Sequence, residues 1–329
     1  METLLRYAAI LLLFLYFNQL RSASAQLKQV ESDSCKAKQI PYADLDSWYC
    51  RNVHESLIVG GAIQKLYEIG KSDLPDDENN PLLKDKSSPW ATTNLYAKIG
   101  VDLGVNCVSP EKNNDGYCCR METKIREVNM VGLKLKVLVS GTIFLGEVIQ
   151  PVRSVKDPIC KLNHGIPFTG RPKAVQFSYK YKSGQNRFRS VFSSKPVEGP
   201  DKAEFCMILQ KRSEDEKGNM YAIRIGGVRE FITDTRGCWV TDTTITVKYG
   251  DITNESFYDP QVMGLIPEVN DLYVKNSKNE MVPLIETGWD TRHETPTHLI
   301  LYFTSSFEGI NYTGSPESVL WVDNIRFIY

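Results

Sequence analysis

Apolar and polar residues alternate along several short segments in the second half of the chain. In residues 175–182 (VQFSYKYK) every second residue is apolar or aromatic, and residues 244–249 (TITVKY) repeat the pattern. A period of two indicates a β-strand with one face buried and the other in water. The run 319–329 (VLWVDNIRFIY) predicts a further strand.

Three other runs are apolar on both faces: residues 133–139 (LKLKVLV), 206–209 (CMIL) and 298–303 (HLILYF). Such runs are typical of central strands that are covered from both sides. Helical periodicity is scarce, since its best example, residues 56–69 (SLIVGGAIQKLYEI), is interrupted by two glycines. Many separated strands with few helices predict an all-β sandwich or barrel.

Polar segments with turn-forming residues separate these strands. Residues 71–88, 214–219 and 276–280 are predicted to form exposed loops. No internal repeat is visible, and no shift in composition after the first residues marks a domain boundary. The sequence therefore predicts one domain with long loops.

The first residues predict export. Arg6 precedes an unbroken apolar run, residues 8–17 (AAILLLFLYF), and the small residues 22–25 (SASA) follow. The run is about half the roughly 20 residues needed to span a bilayer, so a signal peptide cleaved after Ala25 is favoured over a membrane anchor. No cysteine stands directly after the cleavage site, where Gln26 is found, and this disfavours a lipoprotein. We expect a secreted, periplasmic or cell-envelope protein whose mature chain does not insert into the membrane.

The formal net charge of −1 limits the kind of ligand. Proteins that bind nucleic acid carry a basic excess, so this near balance argues against a nucleic-acid partner. A neutral or modestly charged ligand, such as a sugar, suits the composition better.

The cysteines leave two readings open. An even count in an exported protein permits disulfides, and Cys107 could close a hairpin with Cys118 or Cys119. Alternatively, most of them are buried thiols that act as small apolar residues. Zinc is disfavoured because no pair has two-residue spacing and no histidine is adjacent. The eight are Cys35, Cys50, Cys107, Cys118, Cys119, Cys160, Cys206 and Cys238.

Three motifs occur in a recognisable order: residues 89–94 (PWATTN), 165–174 (GIPFTGRPKA) and 314–324 (GSPESVLWVDN). Together they resemble the putative carbohydrate metabolism domain, a family of exported bacterial proteins. Residues 44–48 (DLDSW) and 293–306 (HETPTHLILYFTSS) are similar to its opening and to one of its late strands. The central block, 165–174, is the most specific.

The resemblance implies a jelly-roll β-sandwich, similar to galactose-binding-like modules, with a role near polysaccharide use. The resemblance spans residues 41–329, which we predict to be a single domain. With the signal peptide (1–25) and a short extension (26–40), the chain has three predicted parts.

The resemblance also implies a structural calcium ion, with Asp46 and Asp323 as ligands. On strict alternation, Asp323 shares a buried face with Trp321, Ile325 and Phe327. A buried carboxylate needs a partner, and Ca²⁺ takes carboxylate and carbonyl oxygens. The alternatives are hydrogen bonds to Asp323 from the backbone or an arginine, or a bulge at an edge.

Aromatic residues beside loops are candidates for stacking on sugar rings, with nearby polar groups bonding the hydroxyls. Trp90, with Asn94 close by, is the first choice, and Trp289 beside Asp290 is the second. Arg171 could bind a sugar hydroxyl or carboxylate, or could instead pin its own loop to neighbouring carbonyls.

The sequence offers little evidence for catalysis. The chain contains no Gly-x-Ser-x-Gly elbow, phosphate-binding loop or dinucleotide fingerprint. Glycosidases need two carboxylates about 5–10 Å apart, and the sequence alone pairs none of its candidates. These candidates are Glu122, Glu147, Asp290 and Glu294.

Three hypotheses for the function remain. The leading one is an exported carbohydrate-binding or accessory protein of polysaccharide metabolism, with a glycan as partner and no catalytic residue assigned. The alternatives are a glycoside hydrolase or lyase with a loop-built carboxylate cleft, and a structural envelope or adhesin-like protein.

Overall fold

The computed structural model of the chain describes residues 39–71, 80–114, 116–130, 133–154, 159–268, 270, 272–291 and 293–329. Residues Gln39–Ile328 form one compact unit. The predicted signal peptide and nearly all of the predicted extension lie outside the described residues. Within the described ranges, no helix combines the length and the apolar character that a membrane span requires.

Strands dominate the described chain. The first half contains β1 (Trp48–His54), β2 (Ile63–Ile69), β3 (Trp90–Thr92), β4 (Leu95–Lys98), β5 (Asp102–Val105), β6 (Val108–Asn113), β7 (Gly116–Glu122), β8 (Lys124–Met130), β9 (Leu133–Val139), β10 (Thr142–Val148), β11 (Leu162–His164) and β12 (Ile166–Pro167). The second half contains β13 (Ala174–Lys182), β14 (Arg187–Ser190), β15 (Ser194–Val197), β16 (Ala203–Glu214), β17 (Met220–Ile232), β18 (Val240–Thr246), β19 (Lys248–Tyr249), β20 (Tyr273–Lys275), β21 (Met281–Trp289), β22 (His298–Thr304), β23 (Thr313–Gly314) and β24 (Val319–Ile328). One short helix, α1 (Pro260–Met263), and three 3-10 turns, Leu57–Val59, Ile159–Lys161 and Gly309–Asn311, accompany them.

The largest sheet closes on itself. Its strand order is β12-β22-β16-β17-β21-β20-β11-β10-β3, with β19 also paired to β17. β10 pairs with β22 as well, through Thr142 and Thr304, Ile143 and Phe303, and Phe144 and Tyr302. Because β10 contacts β11 near one end of this order and β22 near the other, the sheet forms a ring.

A second sheet packs against the outside of this ring. Its order is β18-β13-β24-β7-β6. Phe177 of β13 lies 4.9 Å from Phe205 of β16 and 4.8 Å from Phe303 of β22, measured between ring centroids. All three rings are buried. This aromatic contact between two sheets confirms the predicted all-β sandwich, and the arrangement is compatible with a jelly roll.

The inside of the ring holds a separate apolar cluster. Its members come from β16, β17, β20, β21 and β22, and they are Cys206, Ile208, Met220, Ala222, Val274, Leu284 and Ile300. Alternate residues of β16 therefore face the sandwich core and the ring interior. This explains why residues 206–209 and most of 298–303 are buried on both faces, as their sequence predicts.

Residues 133–139 do not follow that prediction. They form β9, which pairs with β8 in a two-stranded sheet of the described chain, rather than a central strand. The predicted strand at 244–249 is divided between β18 and β19. The loops predicted at 214–219 and 276–280 connect β16 to β17 and β20 to β21, and the glycine pair at 60–61 ends a 3-10 turn instead of continuing a helix.

A bulge changes the face of β24 at its middle. Between the pairs Gln176–Arg326 and Ser178–Asp323, β13 advances two residues and β24 advances three. Asn324 takes up the extra residue at a φ of 54°. The prediction of strict alternation through Trp321, Asp323, Ile325 and Phe327 is therefore wrong.

Trp321 and Asp323 point away from the sandwich core. Leu320 and Val322, which flank Trp321, are fully buried, so Trp321 lies on the outer face and is only half-buried. Beyond the bulge, Ile325 returns to the core. Although Asp323 lies on the outer face, it is only 6% exposed, because neighbouring segments cover it.

Candidate functional site

A cavity of about 710 Å³ is here called the polar cavity, and its lining includes Cys206 and Ile208 from the ring interior. Strands β17, β18 and β19 form one part of its wall, and residues 260–267 form another. Its volume lies in the range typical of small-molecule sites. Its polar and aromatic lining includes Arg224, Arg229, Glu230, Lys248, Gln261, Asn270 and Trp289.

Buried charges fix the wall made by residues 260–267. The guanidinium of Arg224 donates from Nε to Glu286 Oε1 at 2.6 Å and from Nη2 to Glu286 Oε2. Arg224 also donates to the backbone oxygens of Met263 and Gly264, while Ile266 N donates to Glu286 Oε2 at 2.9 Å. Charge-assisted bonds of this kind are strong, so the wall is held in place before any ligand arrives.

Trp289 forms the aromatic part of the polar cavity. It is half-buried at the end of β21. Its ring centroid lies 5.3 Å from Arg224 Cζ, and the ring of Tyr258 meets it edge-on at 6.3 Å. An indole that is held by neighbours and still lines a cavity is suited to stacking on the apolar face of a sugar.

Charged groups of both signs line the same cavity. Burial raises the pKa of Glu230, and the nearby charge of Lys248 opposes this rise. Lys248 Nζ also lies 4.8 Å from the ring of the exposed Phe257. Carboxylate and ammonium groups bond sugar hydroxyls as acceptor and donor, respectively.

Two glycines give the cavity its β-strand wall. β19 pairs with β17 at Gly226 and Gly227. A Cβ on Gly226 would lie 2.7 Å from Lys248 O and 2.8 Å from the ring of Tyr249. Glycine at this position therefore lets β19 approach and place Lys248 in the lining.

A second cavity, of about 270 Å³, is mainly apolar and is here called the apolar groove. Leu95, Leu103, Val137 and Phe192 are among its lining residues. Phe192 is 61% exposed, which is unusual for a phenylalanine and leaves apolar surface open to a ligand.

A third cavity, also about 270 Å³, contains Trp90 with two glutamates, Glu68 and Glu147. Burial raises the pKa of Glu68, although the charge of Arg51 opposes it. Burial acts in the same direction on Glu147, but hydrogen bonds from Lys275 and Lys84 outweigh it and lower the pKa of Glu147 to about 2. The pKa values of the two carboxyls are thus shifted in opposite directions, and Glu68 is paired with Arg51, whose Nη2 lies 2.7 Å from Glu68 Oε1.

The structure places Trp90 and Asn94 in supporting roles. Trp90 is 4% exposed and donates from Nε1 to Pro41 O at 2.9 Å. Asn94 is fully buried, and its amide joins four backbone groups. Its Nδ2 donates to Tyr67 O and Val108 O, and its Oδ1 accepts from Cys107 N and Val108 N. Asn94 therefore ties β2 to the start of β6, and its side chain has no bonding capacity left for a sugar.

Arg171 and Asp290 lie with the part of the chain that carries Trp289. Arg171 donates to Glu294 O, and its Cζ lies 4.4 Å from the ring centroid of Tyr249. Asp290 Oδ2 accepts from Glu294 N at 3.3 Å. The five predicted glycan-binding residues thus form two groups: Trp90 with Asn94, and Arg171, Asp290 and Trp289. Of these, Trp289 lines the polar cavity.

Asp46 and Asp323 are close enough to influence each other. Burial raises the pKa of Asp323, Asn113 opposes this through a 2.6 Å hydrogen bond, and the charges of Asp46 and Asp44 raise it further. Asp46 is exposed and accepts from Tyr117 N at 2.7 Å. A cation between these carboxylates would relieve this repulsion, and carboxylate oxygens are among the ligands that calcium takes. Among the described residues, no group of three His, Cys, Asp or Glu side chains is arranged to hold a metal.

Cys107, Cys118, Cys119, Cys206 and Cys238 are free thiols, so the predicted hairpin disulfide between Cys107 and Cys118 or Cys119 does not form. Four are buried: Cys107, Cys118, Cys119 and Cys206. Burial raises the pKa of Cys107 and of Cys206 to about 12, which makes these thiols unreactive. Cys35 lies outside the described residues.

Sequence reasoning missed two features. Glu230 and Lys248 become part of a cavity only through the β17–β19 pairing, and no local motif signals this. The second feature is an outer-face cluster in which Lys180 Nζ lies 4.2 Å from the ring of Trp321 and 5.4 Å from that of Trp239. The alternation of apolar and polar residues in 175–182 already predicts that Lys180 lies on the outer face. The sequence therefore contains one signal for this cluster.

Comparison with known proteins supports the resemblance drawn from the motifs. Residues 75–229 match the family model described as "Putative carbohydrate metabolism domain", and this confirms the family recognised from the sequence. The central motif, 165–174, lies inside the match, while residues 44–48 and 314–324 lie outside it. The match relates residues 75–229 to a family described by carbohydrate metabolism.

Two solved structures, each called a putative glycoside hydrolase, are also similar. The one from Bacteroides thetaiotaomicron is 17% identical with a TM-score of 0.42, and the match covers 68% of this chain and 57% of that one. The one from Bacteroides vulgatus is 14% identical with a TM-score of 0.41, covering 68% of this chain and 77% of that one. No curated protein matches the sequence.

Proposed function

We propose, from the premise that residues 75–229 carry a putative carbohydrate metabolism domain, that the protein binds glycan in the polar cavity. It acts outside the cytoplasm as an accessory protein of polysaccharide metabolism. The observation that carries this proposal is the half-buried Trp289, which lines a cavity of about 710 Å³ together with groups able to bond hydroxyls.

The binding mode follows from the lining. A pyranose ring stacks on the indole of Trp289, while Glu230 accepts hydrogen bonds from its hydroxyls and Lys248 donates to them. Arg224 does not need to touch the sugar, because its guanidinium is already bonded to Glu286 and to two backbone oxygens. It serves as a fixed support for the indole.

Affinity electrophoresis against a panel of polysaccharides tests this proposal. We expect at least one glycan to retard the wild-type chain and to retard Trp289→Ala much less. Trp239→Ala is the matched control, because that indole lies beside Lys180 rather than in the polar cavity. If no glycan retards the wild-type chain, or if both variants lose retardation equally, the proposal is wrong.

A second candidate function, cleavage of a glycosidic bond, is favoured by the third cavity. Glu68 and Glu147 both line it, and their pKa values are shifted in opposite directions. Hydrolases that act on glycosides use one protonated and one ionised carboxyl. Here Glu68 would be the acid, which requires its buried ion pair with Arg51 to open, and the ionised Glu147 would be the nucleophile or base.

Release of reducing sugar from the same polysaccharide panel tests this second candidate. Glu68→Gln and Glu147→Gln should each abolish the release, whereas Glu127→Gln, on a surface strand, should not. Absence of release by the wild-type chain, or its survival in both active-site variants, would rule out cleavage at this cavity.

We also propose that Asp46 and Asp323 hold a structural calcium ion next to the bulge in β24. The support is the proximity of their charges and the burial of Asp323. The ion would neutralise carboxylates that otherwise repel each other, and it would fasten residues 44–46 to the last strand.

A further inference from the structure

The polar cavity and the apolar groove adjoin each other. Four residues line both of them: Arg229, Leu272, Tyr302 and Ile310. Ile310 is 39% exposed, so the place where the cavities meet is accessible from solvent. A single ligand that enters the polar cavity can therefore extend into the groove.

A charged cluster marks this junction. Arg229 donates from Nε to Glu204 Oε1 at 2.6 Å and from Nη2 to Glu204 Oε2 at 3.2 Å. Tyr302 donates its hydroxyl to the same carboxylate. Glu204 is 1% exposed, so the cluster is a fixed boundary between a polar and an apolar compartment.

Beyond this boundary the groove offers mainly carbon to a ligand. Leu95, Ile99 and Val137 are half-buried and line it together with the exposed Phe192. Hydroxyl groups in the lining are bonded within the protein. Thr93 Oγ1 donates to Ser140 O at 2.9 Å, and Thr142 Oγ1 donates to Thr304 Oγ1 at 2.8 Å.

Ser140 departs from this pattern. It is 5% exposed and lines the groove, and its Oγ has no hydrogen-bond partner among the described residues. A Cβ on Gly309 would lie 2.1 Å from this oxygen, which places Ser140 next to Ile310 and hence near the junction. A buried hydroxyl without a partner costs free energy that a ligand oxygen would recover.

We propose that the ligand is a glycolipid, with its sugar in the polar cavity and its acyl or alkyl chain in the apolar groove. The proposal rests on the proposed function and names the substrate class of the same site. Ser140 donates a hydrogen bond to the oxygen that links the sugar to the chain. The exposed apolar side chains of Phe192 and Ile310 are then covered by the chain of the ligand.

Calorimetric titration with alkyl β-glucosides, kept below their micelle concentrations, tests the proposal. The affinity should rise about fourfold for each added methylene from hexyl to decyl, because each buried methylene contributes a constant increment. Decyl dimethylamine oxide, which carries the same chain without a sugar, should bind much more weakly than decyl glucoside. The variant Phe192→Ser should flatten the dependence on chain length, and since Phe192 is exposed this change should not disturb folding.

The outcomes separate this inference from the proposed function. Affinity that does not depend on chain length, decyl glucoside that fails to bind, or an amine oxide that binds as tightly as the glucoside would each overturn the glycolipid assignment. If the affinity does not depend on chain length but the glucosides still bind, the proposed function remains intact. Ser140→Ala should weaken every glucoside by the same factor, whatever the chain length, and a loss that grows with chain length would contradict its assigned contact.

Discussion

Arg224 and Glu286 form a buried ion pair, and the guanidinium of Arg224 also supports Trp289. The Nε–Oε1 distance is 2.6 Å, both side chains are at most 6% exposed, and Arg224 Cζ lies 5.3 Å from the centre of the indole. One pair thus connects the ring interior, the wall made by residues 260–267 and the aromatic surface of the polar cavity.

Removal of one partner of this pair should be strongly destabilising. Glu286→Leu leaves the Arg224 charge buried without a counter-charge, and we expect a loss of about 3–5 kcal/mol in the free energy of unfolding. The double variant Arg224→Met/Glu286→Leu should lose less than this single variant, because no buried charge remains. Urea titration monitored by circular dichroism measures both losses.

The exposed pair of Arg326 and Asp242 provides the control. Both side chains are more than half exposed. Asp242→Asn should therefore change the free energy of unfolding by less than about 1 kcal/mol. A double variant at Arg224 and Glu286 that loses as much as Glu286→Leu alone would contradict the role given to the pair.

Stability should fall as the pH drops through the range set by His164. This residue is buried, its Nδ1 lies 3.3 Å from Tyr273 O, and burial lowers its pKa from 6.5 to about 4. Below pH 6.5 the unfolded chain binds a proton that the folded chain resists, so the contribution of His164 lowers the free energy of unfolding down to about pH 4 and is constant below it. His164→Gln should reduce this slope.

Urea titrations at several pH values between 7.5 and 4 would measure the slope. Burial also lowers the pKa of His298 to about 4, so part of the dependence should persist in His164→Gln. If His164→Gln keeps the full wild-type slope, His164 does not titrate as described.

Calcium should stabilise the chain through Asp323. Ca²⁺ at a hundred times its Kd would raise the free energy of unfolding by about 2.7 kcal/mol. Scanning calorimetry in calcium and in a chelator should therefore show a higher Tm with calcium for the wild-type chain. The difference should vanish in Asp323→Asn and persist in Asp242→Asn. An equal Tm in both buffers would refute the site.

The strands that depend on local alternation could be predicted from the sequence. β13 and β24 follow period-two patterns, and β16 and β22 show the two-sided apolar character of covered strands. The bulge at Asn324 could not be foreseen, because it depends on the pairing of β24 with β13. It reversed the predicted face of Trp321 and Asp323.

The closure of the large sheet and the candidate site were beyond the reach of local patterns. β10 and β22 are separated by more than a hundred residues, and no motif signals their pairing. For the same reason the sequence could not tell Trp90, which is packed, from Trp289, which lines a cavity. Glu230 and Lys248 meet there only because β19 returns to β17.

Isothermal titration of the glycan found in the panel tests the central claim most directly. Wild-type chain should bind it with one site per chain, and Trp289→Ala should bind at least about tenfold more weakly, a loss of about 1.4 kcal/mol or more. Trp239→Ala should bind like the wild type. Unchanged affinity in Trp289→Ala, with the fold intact by circular dichroism, would contradict the assignment of the polar cavity as the glycan site.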